Sequence, residues 1–83
     1  MDMHVTETRL PDGASDADIQ ARIDSIMSGY ALACIVETRG DGSKWLVRVD
    51  ADSEMIDAAI ADGQTPREKF GAQAQQVLAT RNS

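Results

Sequence analysis

The segment Arg39-Gly40-Asp41-Gly42-Ser43 constrains this chain more than any other. It separates two runs rich in β-branched and aliphatic residues, Tyr30 to Thr38 and Lys44 to Ala51. A short Gly/Asp insert between two such runs is the sequence mark of a β-hairpin. A type I′ turn centred on Asp41-Gly42 sets Thr38 opposite Trp45, Val36 opposite Val47 and Cys34 opposite Val49. With Leu32, these residues make one apolar face. The other face then carries Ala31, Ala33, Ile35, Glu37 and Arg39 beside Leu46, Arg48 and Asp50. Since side chains alternate along a strand, a slip of one residue would exchange the two faces.

The remaining elements follow from local signals. Residues 3–10 alternate loosely and stop at Pro11-Asp12-Gly13, which predicts a short strand at a sheet edge. Ser15 caps a helix, with Asp18 in the capping-box position and Asp16 in the first turn. Ile19, Ile23, Ile26, Met27 and Tyr30 share one face of that helix, and Gly29 supplies a left-handed end. Asp52-Ser53 opens a second helix with Met55, Ile56, Ala59 and Ile60 as its apolar stripe and Gly63 as its stop. Thr65-Pro66-Arg67-Glu68 combines a cap, a first-turn proline and a capping-box glutamate. The last helix buries Phe70, Ala74, Val77 and Leu78, then frays through Arg81, Asn82 and Ser83. The order β-α-β-β-α-α over residues 1–83 predicts one α+β domain, a two-layer sandwich with the helices on one face of a three-stranded sheet.

Composition limits what such a domain can do. Of the chain's 83 residues, 14 are Asp or Glu and 8 are Lys or Arg, a net charge of −6. Direct nucleic-acid binding needs the opposite sign. The β-α-β-β-α order is also that of an RNA-recognition sheet lacking its last strand, but the exposed face expected here has no stacking aromatic. The longest apolar run, Tyr30 to Val36, is too short to cross a bilayer, so no membrane role is expected. Cys34 is the single cysteine, which rules out an internal disulfide and suits a cytoplasmic setting; its apolar neighbours mark it as a core residue.

No motif for catalysis, phosphate binding or a cofactor is present, and His4 is the lone histidine. A chain of this size also leaves little room for a substrate cleft of about 300 Å³. Neither an enzyme nor a cofactor is expected. Asp50-Ala51-Asp52-Ser53-Glu54 begins like an EF-hand loop, but Met55 and Ala61 stand where glycine and a bidentate glutamate are required. Arg39-Gly40-Asp41 spells an integrin-binding tripeptide, yet a tight turn alone explains it.

Two features point to partners. Residues 1–62 hold 13 acids and 5 bases, a balance of −8, whereas residues 63–83 hold 1 acid and 3 bases, +2. Asp50, Asp52, Glu54, Asp57 and Asp62 follow one another with no Lys or Arg between them. Carboxylates in such number can stand where phosphates would and steer the chain onto a basic groove of a larger protein. Compact phage proteins that block host defence nucleases, anti-CRISPR proteins among them, are similar in size and charge. The second feature is the uncovered sheet face, where Ile35 and Leu46 lie beside Arg48 and invite either the same partner or a second copy. The leading expectation is a non-catalytic inhibitor-like interaction module. The alternatives are a structural homodimer through the open face and, behind it, a very small carboxylate enzyme.

Overall fold

A computed structural model of the chain describes residues 2–81. Its elements are β1 (His4–Arg9), α1 (Asp16–Met27), β2 (Ala33–Thr38), β3 (Lys44–Asp50), α2 (Ser53–Ala61) and α3 (Pro66–Arg81). The strands form one antiparallel sheet in the order β1-β3-β2, so β1 is an edge strand as its punctuation implies. The class is α+β, with three helices packed on a three-stranded sheet.

Helix ends obey local chemistry. The Ser15 hydroxyl accepts the Asp18 amide at 3.1 Å. Asp52 caps α2 by accepting the Met55 amide at 2.8 Å. Thr65 and Glu68 exchange amide-to-side-chain bonds of 3.1 and 2.9 Å, a complete capping box ahead of α3. Gly63 ends α2 in the left-handed conformation at φ 69°, with Gln64 donating to Ala59 and Gly63 to Ile60, a Schellman stop. Gly29, by contrast, is not left-handed; α1 ends through Ser28 in right-handed geometry. Tyr30 therefore leaves the helical face and is 85% exposed.

The hairpin differs from expectation by one residue, and the difference reorders the molecule. Gly42 alone takes positive φ, 84°, and its amide donates to the Arg39 carbonyl while Arg39 donates to Ser43. This is a three-residue loop, a type I turn closed by a left-handed glycine, in place of a two-residue I′ turn. The extra residue shifts the pairing to Thr38 with Lys44, Val36 with Leu46, Ile35 with Val47 and Ala33 with Val49. Asp41 stabilises the loop by accepting the Ser43 amide (2.9 Å) and hydroxyl (2.5 Å). Both bonds hold its carboxyl below the usual range, the hydroxyl first.

The shifted register divides the apolar residues between both faces of the sheet. Ala33, Val47 and Val49, with Ile35 half-buried, pack under Met55 of α2 and Ala74 and Leu78 of α3. Leu46, with Cys34 and Val36, packs on the opposite face beneath Ile19, Ile23 and Ile26 of α1. The helices are thus on both faces, α1 on one and α2 with α3 on the other, which corrects the single-sided sandwich. Ile35 and Leu46 do not share a face, and Leu46 is only 7% exposed. The open apolar sheet face expected from the two-residue turn is absent.

Candidate functional site

The acidic stretch from Asp50 to Asp62 spans the end of β3 and the whole of α2, and the fold gives its members different tasks. Asp50 pairs with Arg48 two residues earlier on the same strand face, Nε to Oδ2 at 2.8 Å. Asp52 accepts the amides of Asp2 at 2.5 Å and of Met55 at 2.8 Å, and these bonds, Asp2 first, lower its carboxyl pKa. Asp62 sits at the C-terminal cap of α2 and pairs with Lys69 of α3. Glu54 lies in the first turn of α2, where the helix dipole favours an acid, and Asp57 follows on its exposed surface.

On α2 the structure also exposes two large apolar side chains. Met55 and Ala59 face the core, but Ile56 is 36% and Ile60 67% exposed. They stand one turn apart on α2, on a stripe flanking the buried one. The apolar pattern of the sequence predicts all four in the core. The signal was there: residues at 55, 56, 59 and 60 cover about 140° of helix circumference at 100° per residue, too wide for a nine-residue helix that also packs on α3. Of the residues expected to bind a partner, Asp50 lies at the end of β3 with Arg48, Asp62 at the C-terminal cap of α2 with Lys69, and Glu54 and Asp57 are brought to the exposed surface of α2. Ile35 and Leu46 are not, and Arg48 is held by Asp50.

The cations are largely committed within the fold. Arg81 reaches Glu37 at 3.3 Å and also Glu7, drawing the end of α3 onto the sheet; both carboxylates raise its pKa, Glu37 first. Glu7 is lowered in turn by Arg81 and then Arg39. Arg39 also lies over Trp45, 4.0 Å from the ring centroid, and the Trp45 indole donates to Ser43 at 2.9 Å. Arg67 donates to the carbonyls of Met27 (2.8 Å), Ala31 (3.0 Å) and Gly29 (3.2 Å). It supplies from α3 the positive charge that the last turn of α1 lacks. With Arg9 near Asp12, six of the eight cations are engaged internally.

The helix end at Arg81 is thus anchored where fraying was expected; Asn82 and Ser83 lie outside the described residues. A cleft of about 410 Å³ opens between Gly29-Tyr30 and Thr65–Glu68, larger than expected for so short a chain. Its polar groups serve the fold: Thr65 and Glu68 cap α3, which keeps Glu68 low, and Arg67 holds the α1 carbonyls. Burial pushes the Cys34 thiol up, away from the thiolate a nucleophile needs. No helix among the described residues is long and apolar enough to cross a membrane. No model of a known protein family, no curated protein and no solved structure matches the chain.

Proposed function

We propose that this protein is a small, non-catalytic cytoplasmic interaction module that docks α2 on a basic site of a larger protein and occludes it from nucleic acid, as an inhibitor does. The observation carrying this reading is the surface of α2, where exposed Ile56 and Ile60 stand one turn apart, with exposed Asp57 three residues before Ile60 and Glu54 on the far flank of the helix. Apolar side chains supply desolvation energy at an interface core, and flanking charges supply steering and register. With most cations tied internally, the field outside α2 stays negative, so a basic, partly apolar groove is its complement. The non-catalytic part rests on the protonated Cys34 thiol and on the structural duties of the cleft's polar groups. Cofactors have no place in this reading, and neither nucleic acid nor membrane is contacted directly.

The test is affinity capture from the native host with the wild-type chain and the Asp57→Lys/Ile60→Ser variant side by side. The expected interactor is a nucleic-acid-binding protein that the variant fails to retain, that DNA or RNA displaces, and that dissociates steeply as salt rises. An interactor indifferent to nucleic-acid competitor, salt and both substitutions defeats the reading.

A further inference from the structure

Three Asp-Gly pairs occur in the chain, Asp12-Gly13, Asp41-Gly42 and Asp62-Gly63. Such a pair is chemically distinctive, because glycine puts no side chain beside its own amide nitrogen. That nitrogen can reach the carboxyl carbon of the preceding aspartate wherever both groups are free. The fold treats the three pairs differently.

At Asp41-Gly42 both groups are committed. The carboxylate accepts the Ser43 amide at 2.9 Å and the Ser43 hydroxyl at 2.5 Å, and the Gly42 amide donates to the Arg39 carbonyl at 2.9 Å. At Asp62-Gly63 the carboxylate pairs with Lys69, and the Gly63 amide donates to the Ile60 carbonyl at 3.0 Å. Asp12-Gly13 is unlike both. The Asp12 side chain is 90% exposed, and Arg9 approaches it only to 3.6 Å. The Gly13 amide donates to no acceptor among the described residues. Gly13 has φ 79°, Asp12 does not take positive φ, and Ala14 donates to Pro11, so residues 11–14 form a type II turn. The closing bond is long, 3.2 Å, and no heavy atom lies within 4 Å of where a Gly13 side chain would start. The peptide between Asp12 and Gly13 therefore has room to rotate toward the Asp12 carboxyl at the loss of one weak bond.

We propose that Asp12 is a site of spontaneous isomerisation to isoaspartate, through a succinimide ring closed by Gly13. The Gly13 nitrogen attacks the carbon of the protonated Asp12 carboxyl. An N–C bond forms, the C–OH bond breaks, and the amide proton leaves with that hydroxyl as one water. A second water then opens the ring. Addition at the side-chain carbonyl restores aspartate. Addition at the main-chain carbonyl breaks the original peptide bond, so the chain runs through the Asp12 side chain and a free α-carboxylate is left. The product has the mass of the starting chain, and no oxidant, reductant or cofactor takes part. Anchors on either side hold the flanking chain while the turn lengthens by one methylene: Leu10 donates to Lys44 at 2.9 Å, and Ser15 caps α1. The step needs nothing from α2, so it is independent of docking there.

The test is prolonged incubation of the folded full chain at about pH 6, where its carboxylate caps are intact, beside the same chain in urea. Proteolysis, electron-transfer fragmentation and labelling by an isoaspartyl carboxyl methyltransferase then locate the product. In the folded chain isoaspartate should accumulate at Asp12 ahead of Asp41 and Asp62, and in urea that preference should be lost. Asp12→Glu, which closes a six-membered ring far more slowly, should abolish the signal at this position. A folded chain in which Asp12 stays unconverted, or converts no faster than Asp41 or Asp62, overturns the proposal. A preference for Asp12 that persists unchanged in urea overturns its structural basis.

Discussion

The two faces of the sheet carry apolar clusters of unequal quality. Under α2 and α3, Leu32, Val47, Val49, Met55, Ala74 and Leu78 are each 2% exposed or less. Under α1, only Leu10, Ile19 and Leu46 are buried, and Ala14, Ile23, Ile26, Cys34 and Val36 remain half-open. The three-residue turn sends Ala33, Ile35, Val47 and Val49 to the side of α2 and α3 and leaves Cys34, Val36 and Leu46 to the side of α1. The sealed side therefore holds the fold, and the thin side is where local opening begins.

Truncation on each face gives the sharpest contrast. Leu32→Ala removes a fully buried side chain from the sealed cluster and should cost about 3–4 kcal/mol. Ile23→Ala, from the half-open cluster, should cost about 1–2 kcal/mol because solvent already reaches the site. Urea midpoints measured on both variants decide the matter, and equal losses would break the distinction between the faces.

Arg67 ties the two sides together, since it sits on α3 yet serves the carbonyls that follow α1. Arg67→Ala should cost about 1–2 kcal/mol by leaving those acceptors without their donor. Amide exchange should quicken in the last turn of α1 well before α3 responds. Arg67→Lys should not restore protection, because one ammonium cannot span three carbonyls as the guanidinium fork does. Uniform acceleration over both helices would mean that the faces are not separable units.

Acid narrows the difference from the other direction. Asp52 and Glu68 cap the helices of the sealed side, and Glu7 holds Arg81 there; all three have pKa values lowered by their hydrogen bonds. A carboxyl depressed in the folded state stabilises it above the unfolded pKa of about 4 and loses that contribution as pH falls through its folded value. The cap of α1 is Ser15, which does not titrate. Stability should thus be level above about pH 5 and fall below about pH 4, with α2 and α3 fraying first. Denaturation midpoints taken between these limits check the sign. A midpoint that rises on acidification would show that relief of the −6 repulsion outweighs the caps.

What the sequence made legible was local. Ser15, Asp52, Gly63 and the Thr65–Glu68 box each act within a few residues, and each does what its type and position imply. The register was not legible, because whether the turn loops over two residues or three depends on the conformation of Asp41, which its bonds to Ser43 decide. From that one residue followed the misplaced open face, the placing of Ile35 and Leu46 on one side of the sheet, and the single-sided packing. The site was legible in its charge, since Glu54 and Asp57 do reach the surface. Its apolar half was hidden, because only the docking of α3 determines which of two adjacent stripes on α2 is buried.

The smallest effect on folding is expected where the docking reading needs the largest effect on binding. Asp57 lies on the exposed surface of α2, past the first turn, where the dipole no longer favours an acid. Asp57→Lys should change stability by less than about 0.5 kcal/mol, and in the stabilising direction if it moves at all, because it lowers a net charge of −6. A thermal scan of the variant fixes this baseline. Loss of an interactor at unchanged stability then belongs to the α2 surface itself, whereas a clear drop in stability would place Asp57 in the fold, outside any interface.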